Sequence, residues 1–158
     1  MSRSHRAYLN LGSNIQPELN LPRAIELLVQ RGEIPKISGV WESQAVGTEG
    51  PNYLNACLAF KSTYDRQTLK EHVIFSIEVQ LGRRRTSNKF ASRTIDIDIV
   101  LFDNQWLDEA DWELAYVVVP LAEIYPEYRH LPTGETAIEK AARLRREVRL
   151  KARRGILS

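Results

Sequence analysis

The stretch Arg93-Thr94-Ile95-Asp96-Ile97-Asp98-Ile99-Val100-Leu101 reads as a β-strand running from Arg93 to Phe102. Strand side chains alternate between faces, so Asp96 and Asp98 project from one surface and Ile95, Ile97 and Ile99 from the other. Aspartate is depleted in strands, and two on one face of an apolar strand call for a reason. Like charges this close repel unless a cation lies between them. A pair of magnesium ions, hard and satisfied by a few carboxylates plus phosphates, fits that need. The alternative is an exposed sheet face with two solvated carboxylates, and spacing alone does not separate the two.

Working outward from that strand gives the element order. Upstream lies a helix that Asp65 can cap, with Leu69, Val73, Ile77 and Leu81 at helical spacing and Gly82 at its end. Before it, Tyr53 to Ser62 reads as a strand, about Ile37 to Ser43 as an extended segment, and about Pro22 to Arg31 as a helix followed by Gly32. Ala7 to Leu11 is a short first strand ended by Gly12-Ser13-Asn14. Downstream, Asp103-Asn104 is a turn signal and Tyr116 to Val119 a β-branched run ending at Pro120, read as an extra strand. Thr136 with Glu139 three residues on is a capping-box pattern that opens a last helix, expected to reach about Arg149 before the tail frays. Leu144, Val148 and Leu150 are its inward-facing residues. Strand, helix, strand, strand, helix, strand is the split βαβ order. It predicts an α+β, ferredoxin-like domain over 1–158: an antiparallel sheet with helices packed on one face.

Composition supports one globular domain. The chain has 158 residues, 43% hydrophobic and 27% charged, close to ordinary soluble usage. No apolar run approaches the ~20 residues needed to span a bilayer, and the N-terminus lacks a signal-peptide core, so a cytoplasmic, membrane-free protein is expected. Cys57 has no partner for an internal disulfide, and three scattered histidines do not make a zinc site. The net charge is +2, but arginines cluster at Arg83-Arg84-Arg85 and in the C-terminal stretch. Near-neutrality with a local arginine cluster points to a small polyanionic ligand rather than a long nucleic acid. A basic tail on a sheet-plus-helix fold raises an RNA-binding module as a rival, but the aromatic sheet motif of such domains is absent.

Guanidinium groups grip phosphate oxygens bidentately, so Arg83, Arg85 and Arg93 beside the acidic strand complete the inventory that phosphoryl transfer needs. There is no G-x-x-x-x-G-K-[ST] loop, which excludes a P-loop enzyme. The segment Thr86 to Ser92, with Phe90 its one aromatic, reads as a lid. Tyr53 and Asn55 share a face of their strand, where a ring and an amide can hold a flat heterocycle.

Taken together, these motifs resemble the 6-hydroxymethyl-7,8-dihydropterin pyrophosphokinases of folate biosynthesis from Ala7 to about Pro126. The landmarks are Leu9-Asn10-Leu11-Gly12-Ser13-Asn14, Tyr53-Leu54-Asn55-Ala56, Glu78-x-x-Leu81-Gly82-Arg83-x-Arg85, the acidic strand, and Pro120-Leu121-Ala122-Glu123-Ile124-Tyr125-Pro126. The resemblance implies two Mg2+ ions on Asp96 and Asp98, with ATP as co-substrate. It implies Arg83, Arg85 and Arg93 on ATP phosphates, Arg83 and Arg93 assisting transfer, and Glu78, Phe90 and Ile99 at the nucleotide. It implies a reduced pterin between Tyr53 and Tyr116, held by Asn55, with Ser43, Gln44, Ala45 and Val46 at its edge and Phe90 and Asp96 nearby. Asp98 is the group placed to take the hydroxyl proton. Pyrophosphate would pass from ATP to the substrate hydroxymethyl oxygen, releasing AMP.

The connection Asp103 to Ala115 departs from that family's pattern. It has no Pro-His and no arginine, but five acidic residues. Each lost charge-assisted hydrogen bond costs on the order of 1.5–3 kcal/mol, so the alternative is a catalytically altered or inactive pterin- or nucleotide-binding paralogue. Trp106 and Trp112 read as packing beneath this short connection or as a partner surface.

Overall fold

A computed structural model describes residues 3–45, 50–83 and 92–157. At its centre is β1 (His5–Ser13), flanked antiparallel by β4 (Tyr53–Ser62) on one side and β5 (Asp96–Phe102) on the other. Both β2 (Glu33–Ile37) and β3 (Val40–Ser43) pair with β4. The two-residue β6 (Gln105–Trp106) extends the sheet beyond β5, and β7 (Lys151–Arg153) closes the opposite edge on β3. The order β6-β5-β1-β4-β3-β7 is that of the split βαβ unit, so the α+β, ferredoxin-like expectation holds.

The single extended segment expected over 37–43 is two strands. Between them Ser38 turns its hydroxyl inward to accept the Cys57 N–H at 2.8 Å, while its own N–H donates to the Cys57 carbonyl at 2.8 Å. A side chain thus stands in for part of the ladder, and the strand breaks there.

Helices cover both faces of the sheet, not one. On β1, Ala7, Leu9 and Leu11 face one apolar cluster and Tyr8 the other. On β4, Leu54, Ala56, Leu58 and Phe60 face the first, and Cys57 and Ala59 the second. The strands therefore lack the apolar–polar alternation of a half-solvated sheet. The first cluster is covered by α1 (Pro17–Val29) and α2, a continuous helix formed by Arg66–Thr68, a π-helical stretch Leu69–Ile74, and Phe75–Gln80. The second is covered by α3 (Ala115–Ile124) and α4 (Ala137–Glu147).

Several boundaries differ from the sequence reading. α1 begins at Pro17, and Pro22 lies inside it. The start is set by Gln16, whose carbonyl accepts the N–H groups of Leu19 and Asn20. Gly32 follows the helix because a Cβ there would lie 2.7 Å from the Phe60 ring and 2.8 Å from the Lys61 carbonyl. The run Tyr116 to Val119 is helical, not a strand: Val117, Val118 and Val119 are all buried, and tertiary packing overrides their weak helix propensity. The capping box at Thr136 and Glu139 is present, but α4 ends at Glu147. The tail does not fray; it returns as β7, and Arg153 pairs with Glu42 at 2.5 Å. Leu144 is buried as expected, whereas Val148 is 45% exposed. The aspartate strand starts at Asp96, not Arg93.

Candidate active site

β1, β4 and β5 lay out the floor of a cleft by register alone. Gly12 faces Asp96 on one side and Asn55 on the other; one pair along, Asn10 faces Asp98 and Cys57. Gly12 keeps the floor open, since a Cβ there would approach Asn55 Oδ1 to 3.2 Å. The wall opposite is α3 and the turn before it. The resulting cavity, about 280 Å³, is lined by Tyr53, Asn55, Arg93, Asp96, Asp98 and Tyr116, among others. The expected alternation holds: Ile95 and Ile97 are buried in the first apolar cluster, on the surface opposite the aspartates.

Each polar group has a fixed role. Asn55 donates through Nδ2 to Ser43 Oγ at 2.8 Å and to the Trp41 carbonyl at 3.2 Å, which leaves its oxygen for the cleft. Arg83 reaches Asp96 at 2.9 Å and also pairs with Glu78; Arg93 reaches Asp96 at 3.4 Å. Glu78 is buried on α2 and accepts the Ile97 N–H at 3.1 Å, so it ties α2, β5 and Arg83 together. Burial outweighs these bonds and raises its carboxyl above the usual range. Asp98 is open to solvent on its cleft side but otherwise walled in. Desolvation, then the charges of Asp96 and Asp111, push it up to about 7. Tyr53 and Tyr116 are both raised, burial first; for Tyr116 the three carboxylates Asp111, Asp98 and Asp96 add to it.

Of the predicted site residues, the fold brings Ser43, Gln44, Tyr53, Asn55, Arg93, Asp96, Asp98 and Tyr116 to one cleft. Ala45 lines an adjoining hollow with Ser43 and Gln44. Glu78 and Arg83 stand just behind the cleft rather than in its lining. Ile99 is not brought in: it packs against the first apolar cluster, on the far surface of β5. Val46, Arg85 and Phe90 lie outside the described residues.

The sequence reading missed Asn10, Gly12, Asp111, Leu114 and Val117, which also line the cleft. For the three on the acidic connection and α3, the missing information was direction. Of the five acidic residues, Asp103 pairs with His5, Asp108 caps the turn at Ala110, Glu109 pairs with His130 and Glu113 with Lys140. Trp112 is buried and stacks on His130 at 4.4 Å, with Trp106 edge-on to it, so both tryptophans pack beneath the connection. These anchors leave Asp111 turned into the cleft, where desolvation and Asp108 push it up to about 6.

A carboxylate pair open toward a cavity, with Asp98 raised by burial and by the neighbouring Asp96 charge, suits a divalent cation that also takes oxygens from a ligand. Among the described residues no set of three or more histidine, cysteine or acidic side chains forms a metal site. Asp96 and Asp98 would thus hold an ion jointly with a ligand.

Known proteins share the sequence pattern and the fold of this chain. The family model described as 7,8-dihydro-6-hydroxymethylpterin-pyrophosphokinase matches residues 8–126. A Synechocystis protein named 2-amino-4-hydroxy-6-hydroxymethyldihydropteridine pyrophosphokinase is 33% identical over 146 residues, 85% of this chain and 74% of its own length. One of the same name from Aquifex aeolicus is 36% identical over 137 residues, 78% of this chain and 82% of its own. A solved structure of Plasmodium falciparum HPPK-DHPS, wild type with pteroate, superposes with a TM-score of 0.68 over 90% of this chain at 13% identity. This chain spans 43% of that longer protein, and the likeness concerns fold alone. From motif order, sheet register and sequence identity together, the chain belongs to the 7,8-dihydro-6-hydroxymethylpterin-pyrophosphokinase family.

Proposed function

We propose that this protein transfers pyrophosphate from ATP to the hydroxymethyl oxygen of 6-hydroxymethyl-7,8-dihydropterin, releasing AMP, with magnesium as the required cation. The observation that carries the reading is the placement of Asp96 and Asp98 beside Arg83 and Arg93, in one cleft with Tyr53, Asn55 and Tyr116.

Tyr53 and Tyr116 offer ring faces to a flat heterocycle, and the free Asn55 oxygen accepts from its amino or ring N–H edge. That orientation points the hydroxymethyl arm toward Asp96 and Asp98. In the cleft Asp96 pairs with both Arg83 and Arg93. Arrival of a triphosphate lets both guanidiniums exchange that carboxylate for phosphate oxygens, with stronger bidentate contacts. The exchange frees Asp96, with Asp98, for two magnesium ions. Bound there, the ions would offset phosphate charge as the bond from the substrate oxygen to the β-phosphorus forms and the bond to the α-phosphate oxygen breaks. In this reading Asp98 accepts the proton that the hydroxyl releases. Arg85, Phe90 and Val46 keep the nucleotide and pterin roles the resemblance gives them, whereas Ile99, on the far surface of β5, takes none. The chain works as a small-molecule enzyme in the cytoplasm; no helix among the described residues is long and apolar enough to cross a membrane.

The test is direct. Purified protein with ATP, magnesium and the reduced hydroxymethyl pterin should release AMP and form the pyrophosphorylated pterin, and Asp96→Ala should lose at least ~100-fold in rate. Equal rates for wild type and Asp96→Ala would refute the assignment. Binding of both substrates without AMP would instead identify an inactive paralogue.

A further inference from the structure

The Pro120–Pro126 motif begins inside α3, at the end away from the cleft, and the proposed reaction gives it no part. Leu121, Ala122 and Ile124 are buried in the second apolar cluster, which accounts for them. Glu123 is different. It is exposed, yet its Oε1 accepts the indole N–H of Trp41 at 2.6 Å. Tyr116 and Glu123 stand about two turns apart on α3 and so share one face of it. Tyr116 lines the cleft at one end of that face, and Glu123 holds β3 at the other.

Trp41 joins this helix to the cleft floor. It is buried on β3 in the second cluster, with the Arg145 guanidinium over its ring at 5.0 Å. Its carbonyl accepts Asn55 Nδ2 at 3.2 Å, and Asn55 is its register partner on β4. The other bond of that amide nitrogen goes to Ser43 Oγ at 2.8 Å, also on β3. Both bonds of the Asn55 amide therefore end on β3, and the amide follows that strand, while Tyr116 follows α3. A buried indole N–H needs an acceptor, and that need alone would explain a nearby oxygen. Here the acceptor is a charged group on the helix that carries Tyr116, so the same bond also ties the floor to the wall.

We propose that Trp41 is a positioning residue for the pterin: its indole N–H on Glu123 and its carbonyl on Asn55 together set the gap between the floor amide and the Tyr116 wall. This rests on the pterin reading of the cleft given above. Asp96, Asp98 and Arg93 belong to β5 and the segment entering it, and β1 and β4 separate β5 from β3. The effect of the strut therefore falls on the heterocycle and leaves the nucleotide alone.

The experiment is calorimetric binding of two probes: a non-hydrolysable ATP analogue with magnesium, and 6-hydroxymethyl-7,8-dihydropterin added to that complex. The proteins are wild type, Trp41→Phe, Glu123→Ala, Glu123→Gln and the double variant Trp41→Phe with Glu123→Ala. Trp41→Phe keeps a ring for the cluster and for Arg145 and leaves no unpaired donor. Trp41→Phe and Glu123→Ala should each weaken pterin binding roughly five- to ten-fold, with the nucleotide analogue within about two-fold of wild type. The double variant should match the single ones within about two-fold, since both changes remove the same bond. Glu123→Gln keeps an acceptor and should restore pterin binding to within about three-fold of wild type. Glu123 is exposed, so its variants carry the test even if Trp41→Phe does not fold. If the carboxylate only satisfies a buried donor, Trp41→Phe and the double variant will bind pterin as wild type does, and the proposal is overturned. Equal weakening of pterin and nucleotide, or no rescue by Glu123→Gln, overturns it as well. If wild type binds no pterin, the reading of the cleft falls, and this inference with it.

Discussion

Asn14 and Arg93 hold each other through two hydrogen bonds: the Arg93 N–H donates to Asn14 Oδ1 at 2.7 Å, and the Asn14 N–H donates to the Arg93 carbonyl at 3.1 Å. Asn14 Nδ2 also donates to the Pro51 carbonyl at 3.2 Å and to Ser92 Oγ at 3.3 Å. One buried amide at the end of β1 thus fixes where the arginine segment enters β5 and where the 50–52 segment passes. Asn14→Ala should lower kcat roughly ten- to hundred-fold through displacement of Arg93, at a stability cost of only about 1 kcal/mol. AMP release and urea unfolding measure the two. A large stability loss with kcat intact would remove Asn14 from the site's support.

Glu78 bonds Arg83 and the Ile97 N–H from inside the fold. Glu78→Ala leaves a guanidinium and a backbone donor short of their partner and should destabilise by about 3 kcal/mol. Glu78→Gln keeps one acceptor and should lose less than half of that, with KM for ATP raised because Arg83 is no longer held. Denaturant midpoints and steady-state kinetics on both variants test this.

Asp111 adds negative charge to a cleft proposed to receive a triphosphate. Asp111→Asn should therefore lower KM for ATP, by roughly three- to ten-fold at low ionic strength, with the effect shrinking as salt is added. A raised KM would show that Asp111 serves the bound cation instead.

The edge strand β7 is clasped by Glu42, whose carboxyl is held below the usual range by hydrogen bonds from Asn52 and Arg153. A depressed carboxyl adds stability above the unfolded value and loses it as pH falls through the folded one. Glu42→Gln should cost about 0.5–1 kcal/mol at pH 7 and nothing at pH 2–3. Chemical denaturation at the two pH values measures the difference; the same deficit at both would mean the clasp is not electrostatic.

Cys57 is fully buried in the second apolar cluster, on the same face of β4 as Asn55, and desolvation raises its thiol far above the usual range. A thiol reagent at pH 8 should leave the native protein unlabelled for as long as it stays folded, and label it stoichiometrically in denaturant. Prompt labelling of native protein would place Cys57 at an accessible surface.

Local patterns alone determined a good deal. Alternation placed Asp96 and Asp98 on one face, and the caps at Asp65 and Thr136 stand where their residue types put them. The order of elements was enough for the α+β class, because loop lengths and apolar periodicity leave few ways to build a sheet from such pieces. Tertiary structure decided the rest. Val117, Val118 and Val119 favour strands in isolation, and only burial against the second face of the sheet makes them a helix. The C-terminal stretch read as a fraying basic tail until β3 offered an edge and Glu42 a partner for Arg153. The five acids of the short connection looked alike in one dimension; Trp112 among them, with His130 and Lys140 further along the chain, determined that Asp111 alone of the five faces the cleft. Spacing along a chain sets which way neighbouring side chains point, but what they meet there depends on which surfaces pack together, and that follows from burying the whole core at once.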